Sequence, residues 1–305
     1  MKENSNEGFQ YNSCVFRGIC SINPRITALQ AVIILYLRFF IRFLSHIDVN
    51  SEIKDFILNT LAITLYNPDF NEDSFLYATK RIKEFLPKIM DKNFEENSFF
   101  EREIEEKNAS NLANETSTIL DSIKFGERIL STHLEKIPST IRSLYSIMMY
   151  IAKNLSINLL ELQNYNEDCT EGFEIILKLL NNIDPINFDK EELKSIIIEA
   201  SRIDYNIIYQ IRIAQEKTYG KQRKTNISFS TFPHKAVLVV GSNINELETI
   251  LNALKNEDID IYTHDDMILA HTFPVFKNYK NLKGQFGHGI ENCLIDFATF
   301  PGPIF

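Results

Sequence analysis

The sequence predicts a mainly α fold followed by α/β: two three-helix bundles, then an incomplete parallel βαβ (Rossmann-like) domain. Three observations carry this. Apolar residues recur at helical spacing from residue 24 to about 225. Part of that region echoes itself. Near residue 218 the pattern changes, and a continuous β-branched run follows.

The helices can be taken in order. Pro24 opens the first, and Thr27, Leu29, Val32, Ile33, Tyr36, Leu37, Phe40 and Leu44 follow at helical spacing. Within it, AVIILYLRFFIRFL is too short to span a bilayer. Arg38 and Arg42 also interrupt it at i, i+4, so it reads as a buried core helix. A second helix is expected near 51–66, stopped by Asn67-Pro68, and a third near 72–86, ended by Pro87. Residues 91–117 are rich in Glu and Asn and read as a connection or an exposed arm. Periodicity resumes near 119.

The echo pairs IKDFILNTLAITLYNPDFNEDSFLYATKRI with FEIILKLLNNIDPINFDKEELKSIIIEASRI. It sets Phe70 against Phe188, an offset of 118. A further helix precedes each copy. Two three-helix units by duplication follow from this. Thr218-Tyr219-Gly220 then closes the last helix. AVLVV (236–240) has the composition of a strand covered on both faces. Gly241 turns the chain, Asn243 to Leu254 is an amphipathic helix, and IDIYT (259–263) is a second strand. GPIF begins what reads as another. The expected domains are therefore 1–225, helical, and 226–305, the start of an α/β domain. A parallel sheet this short is unfinished. Either a second polypeptide completes it or the chain is part of a longer protein.

Composition narrows the function classes. The 305 residues carry a net charge of −9 with 44% apolar residues. That is globular, and it lacks the clustered Lys/Arg that nucleic acid requires. The first dozen residues are polar, so no secretory signal is expected. Four cysteines do not make a disulfide framework, and cytoplasm is the default compartment. Val240-Gly241-Ser242-Asn243 lacks the glycine fingerprint and lysine of a nucleotide loop. Lys221, Arg223 and Lys224 read as a solvated linker. His264, His271 and His288 crowd the last fifty residues beside Asp265 and Asp266. A zinc or iron site there is outweighed by ordinary hydrogen bonding.

Several stretches together resemble the hybrid-cluster (prismane) proteins, the hydroxylamine reductases. They are SCVFRGICSINPRITALQ, the TYG at 218–220, IDIYTHDDMILAHTFPVFKNYKNLKGQFGHG and DFATFPGPIF. The resemblance implies a helical domain of two three-helix bundles before two α/β domains. It also implies an oxidoreductase acting in nitrogen-oxide stress, with a 4Fe-4S cluster held by four N-terminal cysteines and an iron–sulfur–oxygen hybrid cluster.

Cys14 and Cys20, separated by five residues, match the second of the family's two cysteine pairs. Lys2 and Ser5 stand where the first pair would fall. Three explanations stay open: a cluster shared between two chains of a homodimer, a lost cluster with buried cysteines, or a non-native N-terminus. At the second site, Ser242 occupies the position of the family's His ligand. Asp266 occupies that of a Glu ligand. The remaining ligands lie in the family beyond the strand that GPIF begins. Serine and aspartate are hard donors and do not replace thiolates around sulfide-rich iron. The hybrid cluster is therefore not expected on this chain alone, and no catalytic residue is assigned. The runner-up reading is a degenerate, non-catalytic paralogue that serves as a scaffold or binding partner.

Overall fold

The computed structural model describes residues 24–44, 49–65, 72–89, 118–131, 137–181, 189–289 and 292–305. Cys14, Cys20, His46, His133, the 67–68 stop, Phe70, Phe188 and the 91–117 connection lie outside them. Seven helices come first among the described residues: α1 (Pro24–Leu44), α2 (Ser51–Ala62), α3 (Glu72–Ile89), α4 (Ile119–Ile129), α5 (Ser139–Gln163), α6 (Thr170–Asn181) and α7 (Lys190–Tyr219). Then come β1 (Ala236–Val240), α8 (Ile244–Ala253), β2 (Asp260–His264), two 3-10 segments (Asp265–Thr272 and Pro274–Asn278), β3 (Leu282–Gln285) and α9 (Cys293–Thr299). The fold is helical first and α/β after.

The described residues form two units. One comprises those up to Leu160 together with Cys169–Ile207. The other comprises Glu161–Asp168 together with Ile208–Phe305.

In the first unit α1 is the centre. It packs against α2, α3, α4 and α6. Burial runs round it: Ile26, Leu29, Val32, Ile33, Tyr36, Leu37, Phe40 and Leu44 are all inside. Arg38 is 4% exposed and lies among them. Its Nε donates to the Leu180 carbonyl at the end of α6, 3.2 Å away. No described helix is long and apolar enough to cross a membrane.

The caps are local. Asn50 Oδ1 accepts the Ile53 N–H, and Thr118 Oγ1 accepts that of Asp121. α3 runs through Pro87 to Ile89, past the expected end at 86. A proline so near a helix terminus removes a single i→i−4 bond, and the last turn tolerates it.

The offset of 118 maps helix starts onto helix starts. Residues 51 and 72 project to 169 and 190, and α6 and α7 begin at Thr170 and Lys190.

In the second unit the strands are all parallel, in the order β1-β2-β3. Val237, Val239 and Ile261 face α8 and the 3-10 segments, in one core with Leu247, Leu251, Met267, Phe273 and Phe276. Leu238 and Tyr262 point the other way and pack on Phe300, with Phe286 and Phe297 alongside. Ile304 forms a parallel bridge to Leu238, so the terminal segment starts a fourth strand beside β1. β3 was not anticipated. Its four residues, LKGQ, contain no β-branched side chain, and a glycine lies among them.

Candidate functional site

The C-terminal ends of parallel strands are where α/β sheets gather ligands, and the chemistry-bearing residues of this unit collect there. Val240 and His264 are register partners at the ends of β1 and β2. Ser242 stands two residues past the first and Asp266 two past the second. The topology therefore brings both to one edge, and both are exposed. The two turns are neighbours: the Met267 methyl lies 3.8 Å from where a Gly241 Cβ would sit. Asp265, between strand and 3-10 segment, adopts φ +58°. That left-handed backbone is uncommon for a residue with a side chain.

Beneath this edge two polar systems are buried on opposite faces, because adjacent strand residues alternate. Thr263 points toward the 3-10 side. Its hydroxyl is 2.9 Å from His271 Nε2 and 2.5 Å from Gln285 Oε1. Gln285 Nε2 donates to the Asp265 carbonyl at 3.2 Å, which fixes the amide orientation. The single Thr263 proton then goes to Gln285, and His271 Nε2–H donates to Thr263. Burial lowers the His271 pKa to about 4, against a smaller opposing effect of the Gly284 carbonyl. The ring is neutral at physiological pH.

His264 points to the α9 side and is 0% exposed. Its Nε2 is 3.0 Å from Asp296 Oδ2, and the same oxygen accepts the His288 N–H at 3.1 Å. Burial pushes the Asp296 carboxyl up, but the His264 and His288 hydrogen bonds outweigh it and hold the group below the usual range. An ionised carboxylate only accepts, so Nε2 carries the proton. Nδ1 is buried without a hydrogen-bond partner. The ring meets Phe297 edge-on at 5.2 Å.

Gly287 makes this arrangement possible. It sits at φ +72°, and a Cβ there would overlap the Asp296 carboxylate.

The imidazoles of His264 and His271 thus face different groups, Asp296 and Thr263, on opposite sides of the sheet. His234, at the opposite end of the sheet, lies 3.2 Å from Asp258 and 3.4 Å from Asp260. Cys169 is buried with Sγ 3.7 Å from the Leu159 carbonyl, and Cys293 starts α9. Among the described residues no three His, Cys, Asp or Glu side chains are grouped to hold a metal. Ser242 and Asp266 are a pair of oxygen donors, and such a pair does not fit an iron–sulfur centre. Sequence reasoning missed Thr263, Gln285 and Asp296 as site residues. Asp296 lies 32 residues from His264 and Gln285 lies 22 from Thr263, and no local spacing signals such pairs.

The profile of the Prismane/CO dehydrogenase family covers residues 10–305. The chain belongs to that family. It is 26% identical to the hydroxylamine reductase of Natranaerobius thermophilus, over 98% of this chain and 54% of the relative. It is 28% identical to the hydroxylamine reductase of Methanococcus vannielii, again over 98% and 54%. Hydroxylamine reductase 2 of Clostridium acetobutylicum is 26% identical over 95% and 54%. The chain therefore spans about half the length of the curated relatives it matches.

Proposed function

We propose that the chain is the N-terminal portion of a hybrid-cluster-type iron–sulfur oxidoreductase, of the hydroxylamine reductase kind. Membership of the Prismane/CO dehydrogenase family over residues 10–305 carries this reading. The relatives' printed activity, reduction of hydroxylamine, comes to this chain only together with the half of their length that it does not match. Cys14 and Cys20 would supply soft thiolates to a 4Fe-4S cluster shared between two chains. Asp266 and the Ser242 turn would line the edge at which a hybrid cluster is completed. A second polypeptide carrying the remaining strands and cysteine ligands, or a homodimer, would provide what this donor set lacks. The expected compartment is the cytoplasm. The reading involves no nucleic acid and no membrane.

One observation favours a second reading. Ser242 replaces a histidine, and the donors present at the edge are hard oxygens. A chain that has given up the cluster and kept the scaffold fits that equally well.

The experiment is anaerobic purification with iron and sulfide assays and an absorption spectrum. About two irons per chain, as one cubane shared by two chains would give, supports the first reading. That iron should disappear in Cys14→Ser and Cys20→Ser. A colourless, iron-free protein sinks it and leaves the scaffold.

A further inference from the structure

Residues 161–168, the last three residues of α5 and the turn after them, belong to the α/β unit, although the rest of α5 and the whole of α6 belong to the helical one. Glu161 stands in the last turn of α5. Its Oε1 accepts Nε2–H of Gln215, on α7, at 2.8 Å. The other groups set against its carboxyl are Glu246, in the first turn of α8, and the phenol of Tyr165 in the turn itself. No lysine or arginine among the described residues is set against it. Lys217, also on α7, reaches Glu167 instead, 3.9 Å away.

The surroundings continue in the same character. Tyr219 is 1% exposed, and its ring meets Tyr165 edge-on at 6.3 Å. Both hydroxyls are buried without a hydrogen-bond partner. Glu248 follows on α8, with the Tyr279 hydroxyl 3.4 Å away.

Glu161 is therefore half-buried among acids and phenols, with the Gln215 amide as its hydrogen-bond donor. As a carboxylic acid it accepts from Gln215 and keeps a proton to donate. As a carboxylate it is desolvated, has a single amide to stabilise it, and faces a second carboxylate. Burial is the larger cause and Glu246 adds to it, against the Gln215 hydrogen bond, and together they push the carboxyl up to about 7. Burial also pushes the Tyr165 phenol up to about 12, so it remains protonated and offers no positive charge.

We propose that Glu161 is a proton-controlled latch: protonated, it holds the 161–168 segment in the α/β unit against α7 and α8, and ionised, it releases that segment. The latch works in the neutral range and does not depend on whether iron is bound.

Hydrogen exchange of the full chain tests it. The amides of residues 161–168 are followed at about pH 6 and about pH 8.5, corrected for the intrinsic base dependence of exchange. Wild-type protection should fall about tenfold over this range. Glu161→Gln keeps the acceptor for Gln215 and cannot ionise, so its protection should stay level. Glu246 faces Glu161 and raises its pKa, so Glu246→Gln should move the midpoint of the protection loss down in pH. A wild-type segment whose protection does not change over this range overturns the latch. So does an equal loss in Glu161→Gln, or an unmoved midpoint in Glu246→Gln.

Discussion

α1 and α5 hold equivalent places in the two copies of the internal echo, yet they are built differently. α1 is enclosed, with buried side chains around most of its circumference. α5 is amphipathic: Met148, Ala152, Leu155 and Leu159 form a buried stripe, while Ile147 and Tyr150 are 48% and 40% exposed. A cation in each reaches the end of the middle helix of the other copy. Arg38 of α1 donates to the Leu180 carbonyl at the end of α6. Lys153 of α5 donates to the Thr64 carbonyl just past α2, at 3.0 Å. The offset of 118 projects Arg38 onto Ser156 and Lys153 onto Leu35, so neither cation has a sequence counterpart. What repeats is the task, satisfying a helix C-terminus across the two copies, and not the residue. The backbone problem recurs at the two helix ends, and its chemical solution is left free.

The enclosed helix should be the more fragile. Gly126 of α4 lies so close to α1 that a Cβ would overlap the Ala28 carbonyl. Gly126→Ala should destabilise the protein by about 3 kcal/mol, measured by urea unfolding. A cost below about 1 kcal/mol would mean that α1 can shift outward, and the contrast with α5 would lose its basis. Arg38→Met comes next. Methionine fits an apolar helix interior, but the Leu180 carbonyl loses its charged donor. A loss of about 2 kcal/mol is expected, with no dependence on pH between neutral and alkaline, because arginine does not titrate there.

The same contrast explains what could be read in advance. α1 was legible because burial on nearly every side writes itself as an unbroken apolar run, and AVLVV was legible for the same reason in a strand. The start of α7 was legible from the echo. The residues that organise the strand edge were not. Thr263, Gln285, His264 and Asp296 are ordinary in composition and gain meaning only when β2, β3 and α9 are brought together. Ser242 and Asp266 could be placed at strand ends because a turn after a buried run is a local signal. Their exposure could not be read, since it depends on what the sheet packs against. β3 is held partly by a long-range bond, Gln285 N–H to the Ser228 carbonyl, which four residues of weak strand propensity do not announce.

Lys153 gives the smallest effect at neutral pH and the sharpest test of the difference between the copies. Burial lowers its pKa from 10.5 to about 8. Between those values the unfolded chain binds more protons than the folded one, so stability rises as pH rises through that window. Near pH 7 the ammonium is charged in both states. Its desolvation then offsets most of what the hydrogen bond to Thr64 contributes. Lys153→Met should therefore cost less than about 1 kcal/mol near pH 7. By about pH 10 the wild type holds a neutral amine that still donates, and the cost of the substitution should grow by about 2 kcal/mol. Arg38→Met measured over the same range should stay level. If the two variants respond to pH alike, the caps are equivalent after all, and the lysine is better solvated than its position beside the Thr64 carbonyl implies.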